Sequence, residues 1–282
     1  MPLREAHTPP VVERITTPTP LYVWLWAIWQ LVQRDLKVRY KNSALGFAWS
    51  FVNPLLQVLV LTIAFKFIMG APTKNFSIEL FTCFLPWMFF LQSLGDGTVC
   101  LLKDAYLLKK YAFPTIILPA VTLASNLFHL LLGYVVMFAV FLVIPVTFHW
   151  SFLWLIPFLV IQCVLTFGLI LILAVAQVYY EDVRFLQNWI LQLVFFLSPI
   201  VYTVQQVMDS PRLPELAKEL YLAANPITPL LIGYRAALLY GGQWPLPDFF
   251  VYLGISAGWA VVALLFGLWL FRRHERMLPE LI

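Results

Sequence analysis

Six stretches of roughly 20 residues, each mostly apolar and nearly free of charge, constrain this chain more than any other feature. They run from about Gly46 to Met69, Leu80 to Leu102, Ile116 to Val146, Phe152 to Val178, Leu186 to Val204, and Phe249 to Phe271. As helix, a run of that length crosses the hydrocarbon core of a bilayer, and the third is long enough to tilt. Composition argues against a water-soluble alternative. The 282 residues are 62% hydrophobic and 11% charged, whereas soluble domains carry about 25% charged residues. So few charges cannot hide that much apolar surface from water. The expected fold is all-α and integral to a membrane, with six transmembrane helices between residues 46 and 273. The 11 Trp, 12 Tyr and 24 Phe suit a belt of aromatics at each interface.

Charge sets the expected orientation. Of the 18 basic residues, 13 fall on one side of the six spans: Arg4, Arg14, Arg34, Lys37, Arg39, Lys41, Lys103, Lys109, Lys110, Arg184, Arg272, Arg273 and Arg276. Lys74, Arg212, Lys218 and Arg235 fall on the other, and Lys66 lies within the first span. The positive-inside rule puts the richer side in the cytoplasm, together with both termini. Residues 1–20 are polar and Pro-rich, with no apolar core of a signal peptide, and read as a cytoplasmic tail. Residues 274–282 read as a second such tail. Cys83, Cys100 and Cys163 lie in apolar runs without metal-ligand spacing, so neither a metal site nor a disulfide framework is expected.

Between the spans lie three segments with character of their own. Residues 21–45 open with Leu21, Trp24, Leu25, Ile28, Leu31 and Val32 at helical spacing and end on Arg34, Lys37 and Arg39. That pattern predicts an amphipathic helix in the cytoplasmic interface, with Trp24, Trp26 and Trp29 near the head groups. The alternative is a helix packed on the rest of the chain. Residues 103–114 predict a short charged cytoplasmic helix stopped by Pro114, and Tyr179 to Arg184 a compact cytoplasmic loop. Outside, Leu213 to Ala224 predicts an amphipathic surface helix. Pro226 to Tyr240 is too short to span and too apolar for water, so a re-entrant or interfacial helix is expected there.

Catalytic machinery is not visible. No Gly-Lys dipeptide occurs, which removes a Walker A loop, and there is no His-Glu-x-x-His; His7, His129, His149 and His274 are scattered. Lys66 and Asp96 lie within spans, where ionisable groups are functional suspects. About 20 Å of depth separates them by helical rise, so each is expected to reach its nearer interface rather than pair. Gly254-x-x-x-Gly258 is a close-packing motif, expected to seat the sixth span on its own bundle. Pro54 and Pro199 are positioned to kink the first and fifth spans. Phe47, Trp49, Phe51, Phe195, Phe196 and Tyr202 are candidates to line a conduit, since aromatic faces stack on sugar rings; ordinary packing or lipid contact is the plainer reading of each.

The order of motifs resembles a known family. Arg34-Asp35-Leu36-Lys37-Val38-Arg39-Tyr40-Lys41-Asn42-Ser43-Ala44-Leu45-Gly46-Phe47-Ala48-Trp49-Ser50 with Asn53-Pro54-Leu55, then Lys110-Tyr111-Ala112-Phe113-Pro114, then Leu197-Ser198-Pro199-Ile200-Val201-Tyr202, and finally Asn225-Pro226-Ile227-Thr228-Pro229 with Tyr234-Arg235, resemble the polysaccharide export permeases of the ABC-2 transporters. The likeness covers residues 21 to 273. It implies the membrane subunit of a bacterial inner-membrane exporter of O-antigen, capsule or teichoic acid. Such a subunit pairs with itself and with two ATPase subunits, which carry the ATP and magnesium. No cofactor is implied on this chain, and nucleic acid is not an expected partner. By the resemblance, Lys103, Asp104, Tyr106, Lys109, Lys110, Tyr111 and Phe113 form one ATPase-coupling loop, and Glu181, Asp182 and Arg184 the other. Relatives often carry Arg-Asp where this chain has Glu181-Asp182. Arg34, Lys37, Arg39, Tyr40 and Lys41 flank the cytoplasmic mouth, where an undecaprenyl-linked polysaccharide arrives from the membrane lipid. Asn225, Pro226, Tyr234 and Arg235 belong to a re-entrant external gate. Two other readings stand beside this one. An ABC-2 permease for a drug or simple lipid would share the fold. A membrane-embedded glycosyltransferase or acyltransferase would be active without an ATPase, and would draw on Asp104, Glu181 and Asp182.

Overall fold

The computed structural model describes residues 21–39, 46–70, 75–110, 114–143, 149–275 and 277–278. Every regular element among them is helical. In chain order these are α1 (Leu21–Arg39), α2 (Trp49–Thr62), α3 (Phe76–Thr98), α4 (Cys100–Lys103), α5 (Ala105–Lys110), α6 (Ile117–Val143), α7 (Leu155–Tyr179), α8 (Val183–Phe196), α9 (Val204–Met208), α10 (Glu215–Ala224), α11 (Ile227–Leu239) and α12 (Phe249–His274). Four helical stretches are long and apolar enough to cross a membrane: Phe76–Thr98, Ile117–Leu142, Trp150–Tyr179 and Phe249–His274. They correspond to the second, third, fourth and sixth spans read from the sequence. A bent pair, α10 with α11, makes a fifth if counted as one span.

The first and fifth spans fall instead on shorter apolar helices. α2 passes through Pro54 without breaking and runs on into a π-helix at Ile63–Ile68. α8 stops at Phe196, eight residues before the expected end of its span. The physical reason is local. Pro199 has no N–H to continue the ladder, and Ser198 turns its hydroxyl back onto the Val194 carbonyl at 2.7 Å. The chain then turns, and Thr203 and Gln206 form a capping box that starts α9. Pro199 is therefore a stop rather than a kink.

α3 is the central post, buried along most of its length against α6, α7 and α11. α11 is buried at every position from Ile227 to Leu238. The segment thus leaves almost no face free of its own chain. An 86° bend separates α11 from the more exposed α10. Trp87, Phe158 and Tyr234, among the largest fully buried side chains, meet in the core that these helices share. Phe158 and Tyr234 make an edge-on contact with ring centroids 5.6 Å apart.

α7 and α12 form the closest helix pair. A Cβ on Gly168 would lie 2.4 Å from the Leu264 amide nitrogen, and one on Gly267 would lie 2.5 Å from the Gly168 carbonyl oxygen. The backbones touch there because both residues lack side chains. Gly254 and Gly258 do not serve that purpose. A Cβ at either would meet nothing within 4 Å, and both face outward. The small-residue motif legible in α12 thus marks an open face, and the expectation that it packs the helix on its own bundle is corrected.

α1 combines the two readings made for it. Val32 is buried with Ile117 and Val121 of α6, and Trp24, Ile28, Leu31 and Leu36 pack around them. Leu25, Trp26 and Trp29 point away from the bundle, each at least half exposed. Trp24 therefore belongs to the packing stripe and not with the two outward tryptophans.

Candidate functional site

The structure brings two of the sequence-derived groups together on one side of the bundle. α1 presents Arg34, Asp35 and Arg39 along one face, at i, i+1 and i+5. Arg34 donates to Asp104 at 2.8 Å and to the Tyr106 hydroxyl at 3.2 Å. Asp35 accepts from Lys103 at 3.1 Å. Arg39 reaches Asp96 at 2.8 Å, with Asp35 at 3.5 Å. Three cations and three carboxylates thus clasp α1 to the end of α3 and to the α4–α5 loop. Five of these charges are partly solvated while Asp35 is buried, so the clasp specifies geometry more than it adds stability. Beneath it Leu107 of α5 is buried in a small apolar cluster with Cys100, Leu118, Leu171 and Phe271, and Leu31 of α1 packs on the same cluster.

Asp96 therefore has an ion-pair partner that sequence reasoning did not find. The distance argument against Lys66 pointed it toward its interface; the structure adds Arg39 there, arriving from another helix. Asn126 of α6 closes a ring with the pair. Its Oδ1 accepts from Arg39 at 3.2 Å, and its Nδ2 donates to Asp96 at 3.1 Å.

Behind this ring lies a cavity of about 460 Å³ between α1, α2, α3 and α6. Its walls are Arg39, Trp49, Asn53, Pro54, Leu85, Met88, Phe89, Gln92, Asn126, His129 and Leu130. Trp49 is the conduit aromatic that reaches it. Phe195 packs instead on Trp87 in the core, with ring centroids 5.7 Å apart. Phe196 is exposed and stands edge-on to Phe195, and Tyr202 donates its hydroxyl to the Phe196 carbonyl at 3.0 Å. Among the described side chains, Trp49, Phe195, Phe196 and Tyr202 therefore do not share one surface within a single chain. The side chains of Phe47 and Phe51 lie outside the described residues.

The loop between α7 and α8 is held by one amide. Gln177 donates to the Glu181 carbonyl at 3.1 Å and accepts from the Arg184 backbone N–H at 2.8 Å. This leaves Glu181, Asp182 and the Arg184 side chain exposed. Lys37 is exposed too. Tyr40, Lys41, Tyr111 and Phe113 lie outside the described residues, as do the side chains of Lys109 and Lys110.

At the opposite end two of the four gate candidates, Asn225 and Arg235, are knit to the turn after α8. Asn225 donates to Ser198 at 2.9 Å and accepts from the Ile227 N–H at 3.2 Å. Arg235, 6% exposed, donates to the carbonyls of Tyr202, Pro199 and Ile200 at 3.0, 3.0 and 3.1 Å. Those carbonyls lie in the turn between α8 and α9, outside either helix's hydrogen-bond ladder. Tyr234 donates to Gln162 of α7 at 2.8 Å, and Gln162 donates to the Pro86 carbonyl of α3 at 2.7 Å. Pro226 sits at the 86° bend. Gln162 was not singled out from the sequence, because an amide among apolar neighbours carries no local pattern.

Comparison with known proteins follows this geometry closely in extent. The model of the ABC-2 type transporter family matches residues 27–239, from α1 to the end of α11. The chain is 33% identical over 216 residues to the O-antigen export system permease protein RfbA of Myxococcus xanthus, covering 77% of this chain and 81% of that protein. It is 26% identical over 253 residues to an RfbA of Klebsiella pneumoniae, covering 89% and 93%. A second Klebsiella pneumoniae RfbA is 28% identical over 212 residues, covering 75% and 79%.

Proposed function

We infer the activity from a plain premise: this chain belongs to the ABC-2 type transporter family. We propose that it is the membrane permease subunit of an ATP-driven exporter, and that it carries a lipid-linked polysaccharide of the O-antigen kind across the bacterial cytoplasmic membrane. The observation that carries this reading is the match to O-antigen export permeases over 81% and 93% of their lengths. It acts as a transport permease, and ATP hydrolysis belongs to a separate ATPase subunit.

The finer reading is of six spans, with α2 and its π-helical extension as the first and α8 as the fifth. Both termini are cytoplasmic, which the charge asymmetry supports. The α4–α5 loop and the Glu181–Arg184 turn seat on two ATPase subunits, a role that suits charged loops resting on a shared apolar floor. The gate is α11 with its clamp on the turn after α8. Two copies of the chain pair. α8 supports pairing, since against its own chain it buries only Gln187 and Leu191 among its described residues, while Phe185, Leu186, Trp189, Leu193 and Phe196 stay exposed.

The test is a pull-down of the tagged chain from detergent-solubilised native membranes, with co-purifying proteins identified by mass. A stoichiometric ATPase subunit is the expected result. A chain that emerges alone, from membranes where it is functional, overturns the exporter reading.

A further inference from the structure

The cavity between α1, α2, α3 and α6 has a chemistry of its own. Its polar wall carries Arg39, Trp49, Asn53, Gln92, Asn126 and His129, and its other wall is apolar. At about 460 Å³ it is within the range of small-molecule sites, roughly 300–1,000 Å³, and too small for a polymer. An amphiphile fits such a division, with its head against the amides and its tail against the apolar side chains.

Charge decides which head group. The guanidinium of Arg39 is already committed to Asp96 at 2.8 Å and Asn126 at 3.2 Å, with Asp35 at 3.5 Å. The surrounding clasp balances three cations against three carboxylates. A phosphate entering here would find its cation neutralised and two carboxylates nearby, so the site offers an anion little. Capacity to spare lies with three neutral side chains, Gln92, Trp49 and Asn53. Neither the Gln92 carboxamide nor the Trp49 indole N–H has a hydrogen-bond partner among the described residues. Among the described residues Asn53 uses only its oxygen, which accepts from Gln57 at 3.1 Å. Amides beside a flat indole match the hydroxyls and the C–H face of a sugar ring.

We propose that this cavity binds the sugar head group of a membrane amphiphile, with the hydrocarbon chain along the wall formed by Met88, Phe89 and Leu130. The inference rests on the export reading for its biological sense, and it names the part of a glycolipid that this chain recognises. Gln92 is the specificity-determining residue, because its amide is the uncommitted one on α3.

The test uses the full chain in nanodiscs of phosphatidylethanolamine and phosphatidylglycerol, prepared without sugar detergents. The probe is dodecyl β-glucoside with a diazirine in its chain, and adducts are mapped by mass spectrometry. Saturable labelling of α3 and α6 peptides is expected, displaced by plain dodecyl glucoside and not by dodecyl phosphate. Gln92→Leu should weaken labelling by about fivefold, as the loss of one hydrogen bond does. Its thermal midpoint, measured alongside, should match the wild type. Displacement by dodecyl phosphate as effective as by the glucoside overturns the assignment, as does labelling that never saturates. Undiminished labelling of Gln92→Leu overturns it too. Because the wild-type competition needs no variant, a misfolded mutant does not shield the proposal. A chain that recruits an ATPase yet is not labelled loses this site alone. A chain that is labelled but recruits no ATPase keeps the site and loses the exporter reading.

Discussion

Replacing Arg235 by Met should loosen α11 from the turn after α8 by an amount the structure lets one work out. The side chain donates three hydrogen bonds of 3.0 to 3.1 Å to carbonyls that have no helical partner. Hydrogen bonds within membrane bundles are worth about 0.6 kcal/mol on average and about 1.7 at most. Three of them lost together cost about 2–5 kcal/mol. Met has similar length and no donor, so the carbonyls stay buried and unpaired. A reporter is already in place. Cys83 of α3 is fully buried, and its thiol donates to the Leu231 carbonyl of α11 at 3.6 Å, one turn before Arg235. In a Cys100→Ala, Cys163→Ala background a thiol-reactive dye reaches Cys83 only when α11 opens. If opening is fast relative to labelling, the rate follows the open population. A cost of about 2–5 kcal/mol then raises it about 30-fold to several thousandfold. Arg235→Lys should fall in between, because an ammonium cannot fan out to three carbonyls as a guanidinium does. If Arg235→Met labels within about threefold of the wild type, a difference below 1 kcal/mol, the clamp holds nothing and the argument fails.

Two further predictions rest on other contacts. Gly168→Ala puts its Cβ against the backbone of α12, which cannot step aside, and should cost about 2–3 kcal/mol of stability. Gly254→Ala and Gly258→Ala, where a Cβ meets nothing, should stay within about 0.5 kcal/mol; thermal unfolding of the three variants checks the contrast, and equal losses would refute it. Reversing the charge of Arg34 with Asp, or of Asp104 with Arg, should each destabilise the clasp, and the double exchange should recover about 0.5–1 kcal/mol of coupling in a thermal double-mutant cycle. Strictly additive effects would mean that the 2.8 Å pair is incidental.

What could be read from the sequence was set by how local the cause is. α3, α6, α7 and α12 fall close to the expected spans because hydropathy over 20 residues is a property of the segment itself. α8 was read too long because Leu197 to Val204 is apolar enough to continue a span. What ends it is Pro199, together with carbonyls that Arg235 takes up from more than 30 residues away. Gly254-x-x-x-Gly258 advertises close packing locally, but the contact that exists joins Gly168 to Gly267, each alone in its own helix and so without a motif. Asp96 looked like an isolated intramembrane acid for the same reason: Arg39 and Asn126 are remote in sequence.

The same remoteness explains why the clasp and the cavity were not foreseen as neighbours. Arg39 is the last residue of α1, and it lies on the cavity wall while pairing with Asp35 and Asp96. Asp35 in turn holds Lys103 of α4, next to the Asp104 that takes Arg34. α1 is thus fixed to the α4–α5 loop about one turn before its end and to the cavity by its last residue. A helix is stiff over so short a stretch, about 6 Å between Asp35 and Arg39. Any displacement of the α4–α5 loop must therefore either break partly solvated ion pairs, each worth little alone, or carry α1 and the Arg39 side of the cavity with it. The buried Leu107 and the packed Leu31 favour the second course, because separating α1 from α5 exposes apolar surface that breaking an ion pair does not.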